Sequence, residues 1–166
     1  PSQRRILHHP HPVLRQRAEA IAAVDDQVRA LARRMLVLMA EAEGIGLATP
    51  QVGLPWRMFV TRDPLGETDG IVWINPVLEV VEATPDMDEE GCLSLPGITV
   101  RVTRPTGMRI RGLDATGREV EARSNDHMAR VWQHETDHLD GRLIIDHMSS
   151  MDRIRNRRAL RDLERG

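Results

Sequence analysis

The sequence predicts an α+β fold in a single domain, 1–166, with antiparallel sheets around a central helix. Three observations predict it. Residues 25–43 carry an apolar stripe at helical spacing. The stretch from Ile98 to Arg123 alternates with a period of two about a hairpin turn. His134-Glu135-Thr136-Asp137-His138 then sets functional side chains one helical turn apart, after those strands rather than between them. A chain of 166 residues can bury about two-thirds of its unfolded surface in one core, so no second domain is required.

Each element has a local cause. Residues 25–43 read as a helix capped by Asp25 or Asp26, with Val28, Leu31, Met35, Leu38 and Ala42 as its core stripe and Gly44 as its stop. Residues 44–53, with three glycines and Pro50, read as a loop in which backbone can approach a ligand closely. Residues 56–60, 71–74 and 77–81 read as strands, the last two separated by a break at Asn75-Pro76. Residues 88–97 form turns around the only cysteine, Cys92. Beyond them Met108, Ile110 and Gly112 face one way and Arg109 and Arg111 the other, the pattern of a half-buried sheet. Asp114-Ala115-Thr116-Gly117 turns the chain into a strand at 119–123. Ser124 or Asn125 caps the next helix, Gly141 ends it, and a basic helix at about 149–165 closes the chain.

The helix carrying His134, Glu135 and His138 is where chemistry is expected. Residues four apart share a helical face, so both imidazoles can ligate one cation while Glu135 reaches a water on its open side. A catalytic site then needs a third ligand. In the HExxHxxGxxH arrangement Gly141 fits, but the ligand position is Ile144, which cannot bind a metal. A downstream carboxylate would come from Asp146, Asp152, Asp162 or Glu164, which read as surface charges among arginines. A lone cysteine is ordinarily a small buried hydrophobe. Beside such a helix, Cys92 completes a plausible Cys-His-His set as a thiolate, with His147 as the spare ligand. Asp137 points away from that face and is expected to form a buried ion pair, with Arg104 as candidate partner. Glu90 and Ser94 flank Cys92 and are expected to brace its loop. His8, His9, His11 and His127 read as surface or supporting residues, and Arg130 as bulk at the mouth of the site.

Three segments in order, Gly44-Ile45-Gly46-Leu47-Ala48-Thr49-Pro50-Gln51, Glu90-Gly91-Cys92-Leu93-Ser94 and Gln133-His134-Glu135-Thr136-Asp137-His138, resemble those of the peptide deformylases. The resemblance covers nearly the whole chain and implies the deformylase fold. It implies metal-dependent hydrolysis of the N-formyl group from the formyl-methionine that begins a nascent polypeptide, releasing formate. Fe2+ is the implied metal, and Zn2+, Ni2+ or Co2+ can substitute at a thiolate and imidazole site. It also implies that Cys92, His134 and His138 hold the metal, that Glu135 carries the proton, and that the Gln51 amide and the Leu93 N–H receive the oxyanion. By the same resemblance Ile45 and Gly46 pair with the peptide backbone, Val131 lines a methionine-sized pocket, and the arginine-rich helix contacts the ribosome. Thr49 stands where the family usually has alanine and Asp126 where it usually has glycine, which bears on substrate fit and efficiency. A zinc peptidase with another third ligand and an inactive peptide-binding relative are the alternatives. Cys92 argues against the first, and Gln51 and Glu135 against the second.

Composition sets bounds. A net charge of -2 and 40% apolar residues exclude a dedicated nucleic-acid binder, and no apolar run suits a membrane span or a signal peptide. The cytosol is the expected compartment, and Pro1 reads as a processed or trimmed start. All 23 basic residues are arginine, which excludes Schiff-base and P-loop lysine chemistry.

Overall fold

α1 (Asp26–Glu41) starts where the Asp25 carboxylate accepts the Val28 N–H at 3.0 Å. It buries Val28, Leu31, Met35 and Leu38 as the stripe requires, together with Ala32 and Met39. It ends earlier than expected. Glu43 takes a left-handed φ of 56° and donates its N–H to Ala40 O at 3.1 Å, while Gly44 donates to Met39 O at 2.9 Å. That pair of bonds is a Schellman close with Glu43 in the left-handed seat, which leaves Ala42 exposed rather than in the core. The computed structural model describes residues 4–166, so Pro1 lies outside the described residues.

Five antiparallel strands follow chain order across one sheet: β1 (Gly46–Ala48), β2 (Met58–Thr61), β3 (Ile71–Gly91), β4 (Thr99–Leu113) and β5 (Glu119–Ser124). The expected loop at 44–53 is thus partly structured, as β1 and then a 3-10 turn, Thr49–Val52. Trp56 precedes β2 and instead bridges Glu19. The expected break at Asn75-Pro76 is a bulge within β3, with a register shift between Ile74 and Val77. Asn75 adopts φ 50°, a conformation asparagine tolerates, and its side-chain amide accepts from Ile21 N and donates to Ile21 O at 2.8 and 2.9 Å. Those bonds replace the lost ladder, so the strand continues. It runs on to Gly91, so residues 88–91, expected to be turn, are paired with β4 and carry Glu90 to the site on a rigid arm.

α2 (His127–Leu139) packs against all five strands. Its cap is Asp126, one residue beyond the expected Ser124 or Asn125. The carboxylate accepts Met128 N–H at 3.1 Å, while Ser124 Oγ donates to it at 2.6 Å. Ala129, Trp132 and Leu139 bury against Phe59, Trp73, Met108 and Ile110, with Trp73 and Trp132 edge to face at 6.2 Å. The exit at Gly141 requires glycine, since φ is 76° and a Cβ would lie 2.6 Å from Arg15 O.

α3 (Ser150–Arg165) lays Ala159, Leu160 and Leu163 on a cluster containing Val100 and Val102. Its buried Asn156 donates to Thr99 O at 2.9 Å. Asp152, expected at the surface, is buried as well and accepts Arg101 N–H at 3.0 Å. A carboxylate is kept there because it satisfies a backbone donor that would otherwise be orphaned. Glu164 pairs with His9 at 3.2 Å, and His9 is buried rather than on the surface. No helix among the described residues is long and apolar enough to cross a membrane.

Candidate metal centre

α2 presents His134 and His138 on one face, with ring centroids 5.2 Å apart, and the segment leaving β3 brings Cys92 against them. One ligand atom from each of the three lies within 4.8 Å of the others, and Cys92 Sγ is 3.3 Å from His138 Nε2. Tetrahedral coordination with bonds of about 2.0–2.3 Å separates ligand atoms by roughly 3.3–3.8 Å, so these donors fit a single transition-metal ion.

A charged network fixes the ligand His134. Its Nδ1 is 2.9 Å from Glu90 Oε1, which directs Nε2 toward the other ligands. Glu90 in turn accepts two bonds from Arg104, at 2.6 and 2.9 Å, and one from Arg130 at 2.7 Å. Arg104 also donates to Asp137 at 3.0 Å, and His147 Nε2 lies 3.0 Å from the same carboxylate oxygen. The expected Asp137–Arg104 pair is therefore present within a larger network. Burial alone would raise the Glu90 carboxyl, but Arg104 and His134 hold it well below the usual carboxylate range. Glu90 balances Arg104 and Arg130 in the interior, where an unpaired charge would be costly.

Glu135 behaves in the opposite way. It is buried without a hydrogen-bond partner on Oε1 among the described residues, and burial, offset by His134, pushes its pKa up to about 7. Burial lowers His138, reinforced by His134 and Arg104. His134 is raised because Cys92 and Glu90 outweigh its own burial.

A cleft of about 430 Å³ opens on this centre, lined by Gly44, Ile45, Gly46, Leu93, Ile98, Val131 and Glu135. Gln51 is oriented by its own loop. Its Oε1 accepts Ala48 N–H at 2.9 Å, which turns Nε2 toward Ser94 Oγ at 3.0 Å and Cys92 Sγ at 3.6 Å. The polypeptide deformylase family model matches residues 3–154. The chain belongs to that family.

Among curated deformylases, one from Rhodopirellula baltica is 43% identical over 96% of this chain and 76% of its own length. One from Alkalilimnicola ehrlichii is 44% identical over 96% of this chain and 90% of its own. The crystal structure of a deformylase from Legionella pneumophila superposes with a TM-score of 0.88 at 35% identity, covering 98% of this chain and 95% of that one. As a deformylase with a Cys-His-His centre, the protein is a metal-dependent amide hydrolase that removes the N-formyl group from formyl-methionyl polypeptides and releases formate.

All nine candidate site residues converge on this region: Cys92, His134 and His138 as the donor cluster, and Gln51, Leu93, Glu135, Ile45, Gly46 and Val131 around the cleft. Several other expectations are redirected. His147 sits against Asp137, and the metal cluster is complete without it. Arg130 lines the cleft, but its guanidinium is buried in bonds to Glu90, Val102 O and Asp86 O. Thr49 faces the core, donating to Met58 O at 2.8 Å, and so bears on packing rather than substrate fit. Asp126 caps α2. The load carried by Arg104 and Arg130 together was not legible from spacing, because their partners come from three distant segments.

Proposed function

We propose that deformylation here runs through Glu135 as the proton carrier, with Cys92, His134 and His138 holding Fe2+, for which Zn2+, Ni2+ or Co2+ can substitute. The observation that carries this is the buried Glu135 carboxylate, one residue from a ligand, which lines the cleft and has its Oε1 unpaired among the described residues. The metal, when bound, supplies a Lewis acid that lowers the pKa of water and polarises the formyl oxygen. Glu135 takes the proton from the attacking water as its oxygen bonds to the formyl carbon. It then delivers that proton to the amide nitrogen as the carbon–nitrogen bond breaks, so that formate and a free amino terminus leave. Gln51 Nε2 and the Leu93 N–H receive the charge that develops on the formyl oxygen. The tether between Gln51 Oε1 and Ala48 N supports this reading, because it leaves the amide's donor end pointing at the site.

β1 is an edge strand bordering the cleft, which supports pairing of an extended peptide with Ile45 and Gly46. The buried Val131, with Leu93 and Ile98, provides an apolar wall for the methionine side chain. Anaerobically prepared protein should hydrolyse a formyl-Met peptide and leave its acetylated and unformylated counterparts intact. Cleavage of internal peptide bonds would instead support the peptidase reading.

The setting we propose is the cytosol, with the exposed arginines of α3, among them Arg153, Arg157, Arg158 and Arg161, contacting ribosomal RNA phosphates. Replacing the last three with glutamine should weaken salt-dependent ribosome sedimentation while sparing a short peptide substrate. Substitution is preferable to truncation, because Asn156, Leu160 and Leu163 belong to the packed interior.

A further inference from the structure

The turn between α1 and β1 is held from outside by a residue with no assigned role. Arg62 donates from Nε to Gly44 O at 2.7 Å and from Nη2 to Glu43 O at 3.0 Å, and its backbone N–H donates to Ile45 O at 2.8 Å. One residue thus engages three successive carbonyls of the chain that leaves α1. The turn needs restraint, because Glu43 holds a left-handed φ of 56°, which L side chains resist and which persists only where neighbours over-determine it.

The same segment has little freedom on its inner side. A Cβ on Gly44 would lie 2.7 Å from Leu93 Cδ1, and one on Gly46 would lie 2.6 Å from Glu135 Oε2. The backbone from Glu43 to Gly46 therefore rests directly on the loop that donates to the oxyanion and on the proton carrier. The β1–β2 register begins at Gly46 and the Arg62 N–H to Ile45 O bond extends it by one step, so Glu43 and Gly44 lie outside the ladder. Arg62 is what presses them inward.

We infer that Arg62 is a positioning residue for the substrate, its guanidinium setting the height and direction of the strand edge on which the peptide pairs. This rests on the reading that Ile45 and Gly46 hydrogen-bond the peptide backbone. Loss of the fork lets the turn move outward, which weakens backbone pairing while leaving the metal ligands and Glu135 in place.

The test compares two substrates of the metal-loaded enzyme. Formyl-Met-Ala-Ser has peptide groups to pair. Formyl-methioninol keeps the formyl amide and the methionine side chain but has no peptide group beyond them. Wild type should prefer the tripeptide in kcat/KM. Arg62→Ala should shrink that preference by roughly three- to ten-fold, the worth of one or two hydrogen bonds, through a raised KM with kcat changed by less than about two-fold. Arg62→Lys, which keeps one donor, should lie between them. Arg62 is exposed, so the variants are expected to fold, and a simple helix-capping role would lower the melting temperature equally while leaving substrate preference untouched. An unchanged preference in Arg62→Ala, with wild type discriminating, overturns the role of Arg62 alone. A wild type that does not discriminate overturns the pairing on Ile45 and Gly46 and the role of Arg62 with it.

Discussion

Glu135 is a side chain costly to the fold that the proposed mechanism puts to use. Burial without an ion-pair partner holds its pKa near 7 in the metal-free chain, against 4.5 when free in water. A carboxyl raised in the folded state binds its proton more tightly there than in the unfolded chain. The folded state therefore carries no penalty below about pH 4.5 and the full penalty above about pH 7, a cost on the order of 3 kcal/mol. Denaturation of chelator-treated protein should show Glu135→Gln gaining stability over wild type as pH rises through that window. A difference that does not vary with pH would mean the carboxylate is not strained by burial. With metal present, Glu135→Ala and Glu135→Gln should both retain the ion and lose about 10²–10⁴ in kcat, since an amide keeps shape and hydrogen bonding but carries no proton. Near-normal turnover in the glutamine variant would assign the proton to another group. Loss of metal from either would make Glu135 structural.

The elements place these residues through their ends. α2 starts on Asp126, which does not line the cleft, and its carboxylate satisfies a backbone donor at the start of the helix that carries both histidines. Asp126→Ala should cost about 1 kcal/mol of stability with little change in kcat, read by urea denaturation beside steady-state assays. Asp126→Gly should cost only a few tenths. A large loss of kcat in either would show that Asp126 does more than cap the helix. α1 ends with a glutamate in a seat that glycine usually fills. Glu43→Gly should therefore relieve backbone strain and raise stability by about 0.5–1 kcal/mol, provided the Arg62 fork still holds the turn. Destabilisation would show that the Glu43 side chain makes a contribution larger than the strain.

In the whole molecule, the metal centre ties the segment after β3, which carries Cys92, to α2, which carries His134 and His138. An ion held by Cys92, His134 and His138 binds the folded state alone, so it stabilises the fold in proportion to the logarithm of its concentration over Kd. Chelation should lower the melting temperature, and readdition of Fe2+ under anaerobic conditions, or of Zn2+, Ni2+ or Co2+, should restore it. Cys92→Ala should melt at the same temperature with and without metal and should hold well below one ion per chain. Full occupancy in that variant would move the third ligand elsewhere.

The α+β class, the stripe of α1, the hairpin at Asp114 and the spacing of His134, Glu135 and His138 follow from the sequence alone. Each depends on side chains within one or two turns of each other, so periodicity and turn chemistry suffice to read them. Cys92 was readable as a ligand by exhausting the alternatives nearby, and the motif resemblance named Gln51 and Leu93. Tertiary structure decided what depended on a distant partner. Asn75-Pro76 became a bulge because Ile21 supplies the missing bonds, and Asp152 became interior because Arg101 needs an acceptor. The same is true of Glu90, which joins Arg104, Arg130 and His134, and of Arg62, whose three carbonyls lie before β1 while it follows β2. A charged residue has the same identity on a solvated face as in a buried network. Only the fold, by removing water and bringing the counter-charge or carbonyl within reach, separates the two.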